Sequence, residues 1–145
     1  MCKKIILAAF FAACVWMVGA TVNETAAVTA TDVYVGTASN LVMNGNSVSG
    51  SYPGSFEIDE DGNIYGSFDV VNDSGAVIHH FILDGNLLDG IATGTVSLPP
   101  NGNTVPFGAS FSNVSFSGNS VTFSCTATTA TIPIITSSFT FSGIK

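Results

Sequence analysis

Asp59-Glu60-Asp61-Gly62-Asn63 is the densest run of charge in a 145-residue chain of which only 9% is charged. Asp59, Asp61 and Asn63 alternate along it and could offer three oxygens to a cation, which makes them the candidate metal ligands. A calcium loop of the EF-hand kind also needs ligands at fixed alternating positions and a distal bidentate glutamate between helices. Nothing after Asn63 supplies these. The expected role is a hairpin loop between Ile58 and Ile64 with solvated carboxylates and no resident metal. A loose surface calcium site is the alternative.

The other reactive side chains are few. His79 and His80 are the only histidines, and as neighbours on a strand they point to opposite faces and cannot chelate one ion together. No Gly-x-Ser-x-Gly elbow marks a nucleophilic serine. Glu57, Asp69, Asp84 and Asp89 fall on strand faces or at turns, where paired carboxylates for glycoside hydrolysis would not be expected. Cys125 alternates in phase with Val121 and Phe123, the placement of a small buried hydrophobe. No catalytic residue and no cofactor is assigned, and a non-enzymatic protein is expected.

The elements that carry these residues read as strands. Phe56 and Ile58 alternate with Ser55, Glu57 and Asp59; Ile64, Gly66, Phe68 and Val70 alternate with Tyr65, Ser67 and Asp69. The same period-two pattern recurs over 121–127 and 137–142. Little Lys, Glu, Gln or Arg is present to build a polar helical face. Gly-Asn recurs at residues 45–46, 62–63, 85–86, 102–103 and 118–119, each time after Asn, Asp or Ser, and these residues accept the positive φ of tight hairpins. Further turns are expected near Pro53-Gly54, at Asn72-Asp73-Ser74-Gly75 and at Ala130-Thr131-Ile132-Pro133. About eight strands result, near 33–43, 47–58, 64–71, 76–83, 87–98, 104–116, 120–128 and 134–144. The expected fold is all-β, a single antiparallel up-and-down barrel that leaves no edge unpaired. A two-sheet sandwich is the alternative. Apolar residues slip from odd to even numbers across Phe111-Ser112-Asn113-Val114, where a bulge would bend a strand around a barrel.

Residues 1–20 have the layout of a secretory signal peptide: Lys3 and Lys4, an apolar run shorter than the roughly 20 residues of a membrane span, and small residues up to Ala20. Residues 21–31 read as a flexible segment and 32–145 as the barrel domain, secreted or held in the periplasm or cell envelope. Phe11-Ala12-Ala13-Cys14 resembles a lipobox, so lipid anchoring through Cys14 is the alternative to free secretion. No transmembrane segment is expected once the leader is removed. An outer-membrane barrel is set aside because Thr and Ser occupy the outward positions where lipid would demand an apolar band. All ten acidic residues lie beyond residue 20, where Lys145 is the lone base, and arginine is absent. Such a chain cannot neutralise phosphates, which excludes nucleic acid as a direct partner.

Tyr34-Val35-Gly36-Thr37, the hairpin through Ile64-Tyr65-Gly66-Ser67-Phe68, and the closing Ser138-Phe139-Thr140-Phe141-Ser142-Gly143-Ile144-Lys145 resemble the small secreted calycin-like, or lipocalin-like, β-barrel proteins of Bacteroidetes. The resemblance implies an eight-stranded barrel with an internal cavity, an envelope or secreted location, and no assigned activity or functional residue. Two functions follow as expectations. In the first, the barrel interior accepts a small apolar or amphipathic ligand, with Phe56, Phe68, Phe81, Phe123 and Phe139 as candidate lining, unless those rings pack the barrel solid. In the second, an outer face rich in Thr, Ser and Asn contacts a glycan or a protein partner.

Overall fold

Strict alternation of apolar and hydroxyl residues leaves each strand one buried edge of side chains, and closing the sheet on itself is the way to bury that edge along its whole width. A computed structural model describes residues 30–99 and 101–145; the expected leader, Cys14 and residues 21–29 lie outside the described residues. The described residues form nine strands: β1 (Thr31–Met43), β2 (Asn46–Val48), β3 (Tyr52–Asp59), β4 (Asn63–Val71), β5 (Val77–Asn86), β6 (Ile91–Leu98), β7 (Asn103–Ser117), β8 (Ser120–Thr129) and β9 (Thr136–Ile144). Every neighbouring pair is antiparallel and sequential apart from the closing pair β1–β9 and the step from β1 to β3. Eight strands thus form a closed up-and-down barrel, and β2 is an extra ribbon on the last residues of β1.

Four of the five Gly-Asn turns are hairpin turns with the glycine at positive φ: Gly45, Gly62, Gly102 and Gly118. Two expected turns sit elsewhere. Gly85 and Asn86 belong to β5, and the reversal occurs over residues 87–90, ending at Gly90 with φ 76°. There the Asn86 side-chain oxygen accepts the N–H groups of Leu88 and Asp89, so it folds the residues after it. Pro53 and Gly54 are likewise inside β3, and the expected 47–58 strand breaks instead at residues 49–51, where Gly50 has φ 139°. The phase slip in β7 is a register shift between Ser112 and Ser115 with Asn113 at φ 52°. A second shift, between Ser39 and Val42 with Asn40 at φ 53°, bends β1.

The core is one cluster. Phe56, Phe81, Phe123 and Phe141 are wholly buried, Phe68 and Phe139 nearly so, with Phe107 and Phe111 beside them. Phe68 stacks on Phe81 at 4.8 Å between ring centroids and meets Phe139 edge-on at 4.7 Å; Phe56 meets Phe141 at 4.8 Å and Phe123 at 5.6 Å. Cys125 lies among these rings, opposite Phe111 and Phe139, and burial pushes its thiol up to about 12.

Truncating Phe123→Ala removes a ring that touches three others, and a loss of about 3–5 kcal/mol is expected in urea unfolding. Mass-spectrometric mapping of alkylation at Cys125 should find the thiol unreactive in the folded parent and modified much faster in the variant at the same pH. A loss below about 1 kcal/mol would mean that the rings are not close-packed.

Candidate functional site

Chain direction sorts the loops to two ends of the barrel. The start of β1, the 59–63 and 87–90 loops, the 118–119 turn and Lys145 share one end; the 44–45, 72–76, 101–102 and 130–135 segments share the other. At the first end a concavity of about 470 Å³ is lined by Tyr34, Ile58, Leu88 and Phe116, with Ala30, Asp32, Asp59, Glu60 and Gly62 completing it. Tyr34 and Ile58 are inward side chains at this end of the barrel, and both are buried. Leu88 and Phe116 are 67% and 48% exposed, so a large apolar surface is left uncovered on the walls. Phe116 meets Tyr34 edge-on at 6.5 Å.

The walls are set by the two loops that the sequence punctuates most heavily. One Asp59 carboxylate oxygen accepts the N–H groups of Asp61 at 3.0 Å and Asn63 at 2.9 Å, and the other accepts the Asn63 side-chain amide at 2.9 Å. Asn86 joins this loop to its neighbour, donating to the Asp61 carbonyl at 3.1 Å and to the Asn63 side-chain oxygen at 3.0 Å. The Leu87 N–H donates to the Gly62 carbonyl at 2.8 Å. Gly62 must be glycine on two counts, φ 85° and the close approach of Leu88, whose Cγ would lie 2.6 Å from an added Cβ. Leu88 is therefore held over the 59–63 loop as one wall of the concavity.

The electrostatics follow from the same bonds. The Asn63 side-chain amide, helped by the backbone N–H groups of Asn63 and Asp61, holds the Asp59 carboxyl below the ordinary carboxylate value. Lys145 pairs with Asp32 at 2.5 Å, and its ammonium lies 5.8 Å from the Tyr34 ring centroid. The hydrogen bond to Asp32 raises the Lys145 amine above its ordinary value.

Of the candidate metal ligands, Asp59 and Asn63 are brought together, but as a turn brace in which both carboxylate oxygens already accept N–H donors, while Asp61 contributes its backbone. No group of three or more His, Cys, Asp or Glu that could hold a metal ion occurs among the described residues. Phe56, Phe68, Phe81, Phe123 and Phe139 are also brought together, packed ring against ring below the concavity rather than around it. The histidines belong to the far end. His79 lies on the Phe81 side of β5 with Nδ1 2.9 Å from the Ser97 carbonyl, and His80 pairs outward with Asp69. Tyr34, Leu88, Phe116, Asp32 and Lys145 were not among the site residues expected from sequence. Placing the turn at Gly85-Asn86 concealed Leu88 as a strand residue, whereas the adjacent pair Leu87-Leu88, which breaks period-two alternation just before Asp89-Gly90, was the available signal.

Against known protein families, curated proteins and solved structures, the chain gives no match. Among the described residues no helix is long and apolar enough to cross a membrane.

A carboxyl whose midpoint is lowered on folding contributes stability above its unfolded value, and that contribution disappears as pH falls through the folded midpoint. Carboxyl-carbon NMR should place the Asp59 midpoint below the ordinary carboxylate value, and Asn63→Ala should move it back upward. An unchanged Asp59 midpoint in Asn63→Ala would show that the side-chain amide is not the brace.

Proposed function

We propose that this protein is a non-enzymatic β-barrel of the cell envelope or secreted space that binds a small apolar or amphipathic molecule at one open end. The observation that carries this reading is the 470 Å³ concavity roofing a ring-packed core, with Leu88 and Phe116 left largely uncovered. Small-molecule sites combine such an apolar floor with a few polar groups that fix orientation, and their volumes begin at roughly 300 Å³. Here Tyr34, Ile58, Leu88 and Phe116 form the apolar part and the carboxylates of Asp32, Asp59 and Glu60 the polar rim. The mutual contacts of the five phenylalanines favour a ligand seated above them over one threaded between them. None of the lining residues is a nucleophile beside a base, which favours binding over chemistry.

The outer face supports a second reading, contact with a glycan or another protein. Strand register places Ser39, Thr140, Ser124 and Ser112 in one row across four strands and Thr37, Ser142 and Thr122 in the next. These hydroxyls repeat at strand spacing and bond partly to one another, as Thr122 does to Ser142 at 3.2 Å. Such a lattice offers paired donors and acceptors to a polar polymer.

Titration calorimetry of the full-length chain with 1-octanol tests the first reading. One saturable site with a negative heat-capacity change is expected. Phe116→Ala and Leu88→Ala should each weaken it about tenfold, the equivalent of roughly 1.4 kcal/mol of lost apolar contact. Phe123→Leu, below the concavity, should leave the affinity within about twofold. No saturable binding of octanol, together with chemical-shift changes on Thr122, Ser124 and Thr140 when soluble oligosaccharides are added, would transfer the function to the outer face.

A further inference from the structure

We propose that the end concavity selects organic cations: an alkylammonium whose head displaces Lys145 from Asp32 and whose apolar body lies on Tyr34, Ile58, Leu88 and Phe116. This rests on the reading of the concavity as an amphipath site and adds the charge of the ligand. The first ground is that the protein already places an alkylammonium on two of the residues that line the concavity. The Lys145 side chain is a primary ammonium on a four-carbon stem, and its head pairs with Asp32 while lying over the Tyr34 ring. A carboxylate beside an aromatic face is a recognition unit for ammonium groups, worth more where the cation is shielded from water. Asp32 and Tyr34 both line the concavity.

The second ground is the distribution of charge. Asp32, Asp59, Glu60 and Asp61 stand around the concavity or on its loop, with Asp89 in the adjacent 87–90 loop. The far end carries Asp69, which is paired with His80, and Asp73. Among the described residues Lys145 is the one lysine or arginine. With Asp32 offset by Lys145, the carboxylates of Asp59, Glu60 and Asp61 still leave this end negative, which raises the local concentration of cations and repels fatty-acid-like anions. The two carboxylates nearest the apolar floor differ in what they can still accept. Asp59 is committed to three N–H donors, whereas the bond from Asp32 to Lys145 is made by a flexible exposed side chain and can be exchanged for an equivalent one. Glu60, exposed on the loop and without an ion pair among the described residues, is free to approach the same head group. Lys145 thereby acts as an internal competitor.

Matched eight-carbon probes read this directly. Octylammonium, octanol and octanoate, each below its aggregation concentration, are titrated into the full-length chain at low salt and in 1 M NaCl. Octylammonium is expected to bind at least about tenfold more tightly than octanol and octanoate more weakly than octanol, with the spread shrinking in high salt as exposed charges are screened. Asp32→Asn should reduce octylammonium to the octanol level. Lys145→Met should tighten octylammonium severalfold without tightening octanoate to a similar degree. Asp73→Asn, one charge fewer at the far end, should change neither. Equal affinities of octylammonium and octanol, or an Asp32→Asn chain that keeps the preference, would overturn cation selection while leaving the amphipath site standing. Failure of all three probes to bind would remove both.

Discussion

Fitting eight phenylalanines inside one small barrel is the constraint from which the rest of the structure follows. The rings are accommodated because inward positions beside them carry no side chain. Across one row of the sheet Phe56 faces Gly66, Gly66 faces Leu83, Leu83 faces Gly94 and Gly94 faces Phe107. A Cβ added at Gly66 would lie 2.6 Å from the Phe56 ring and 2.1 Å from the Ser55 carbonyl; one at Gly94 would lie 2.5 Å from Phe107 and 2.1 Å from the Ile82 carbonyl. Large and absent side chains therefore alternate around the barrel, so neighbouring strands can curve tightly while the rings cover their backbones. Face-on and edge-on ring pairs each contribute about 0.5–1.5 kcal/mol beyond their burial, which suits a chain with no disulfide among the described residues.

A ring core this continuous has a consequence for where function can reside. The side chains that would line a hollow barrel here satisfy each other, and above them Leu88 and Phe116 leave apolar surface uncovered beside the concavity. At the end that holds Tyr34 and Ile58, the 59–63 and 87–90 loops contribute Asp59, Glu60, Gly62 and Leu88 to the concavity. The side-chain amide of Asn86 donates to Asn63, its partner at the end of the β4–β5 ladder, and so extends that pairing into the two loops and fixes Leu88 relative to Asp59. Rigidity at the rim and packing below it are thus one continuous arrangement.

Much of the fold was legible because the barrel is a period-two object. Phe56, Ile58, Ile64, Phe68, Val70, Val121, Phe123 and Cys125 alternate in sequence and all face inward in the structure. The β7 bulge was legible as a broken phase. What resisted reading were places where a glycine had a second use. Gly85 sits in β5 against Ala92, whose Cβ would be 2.6 Å from its own, so it marks close backbone approach and not a turn. Gly54 does the same against Phe68. Glycine at a reversal and glycine under a ring look alike in a sequence. Ring filling likewise depends on which rotamers meet across the barrel, and Asp32 with Lys145 on a partner separation of 113 residues. Neither carries a local signature.

The most direct test of an end-bound ligand over a ring-packed interior is paramagnetic relaxation from a nitroxide-labelled eight-carbon alcohol, read at methyl groups throughout the barrel. Ile58 and Leu88 should broaden strongly, while Leu41, Leu83 and Val96, buried at 0–2% exposure in the core, should stay sharp. Broadening of Leu83 and Val96 equal to that of Leu88 would place the ligand among the phenylalanines and contradict the end-bound site.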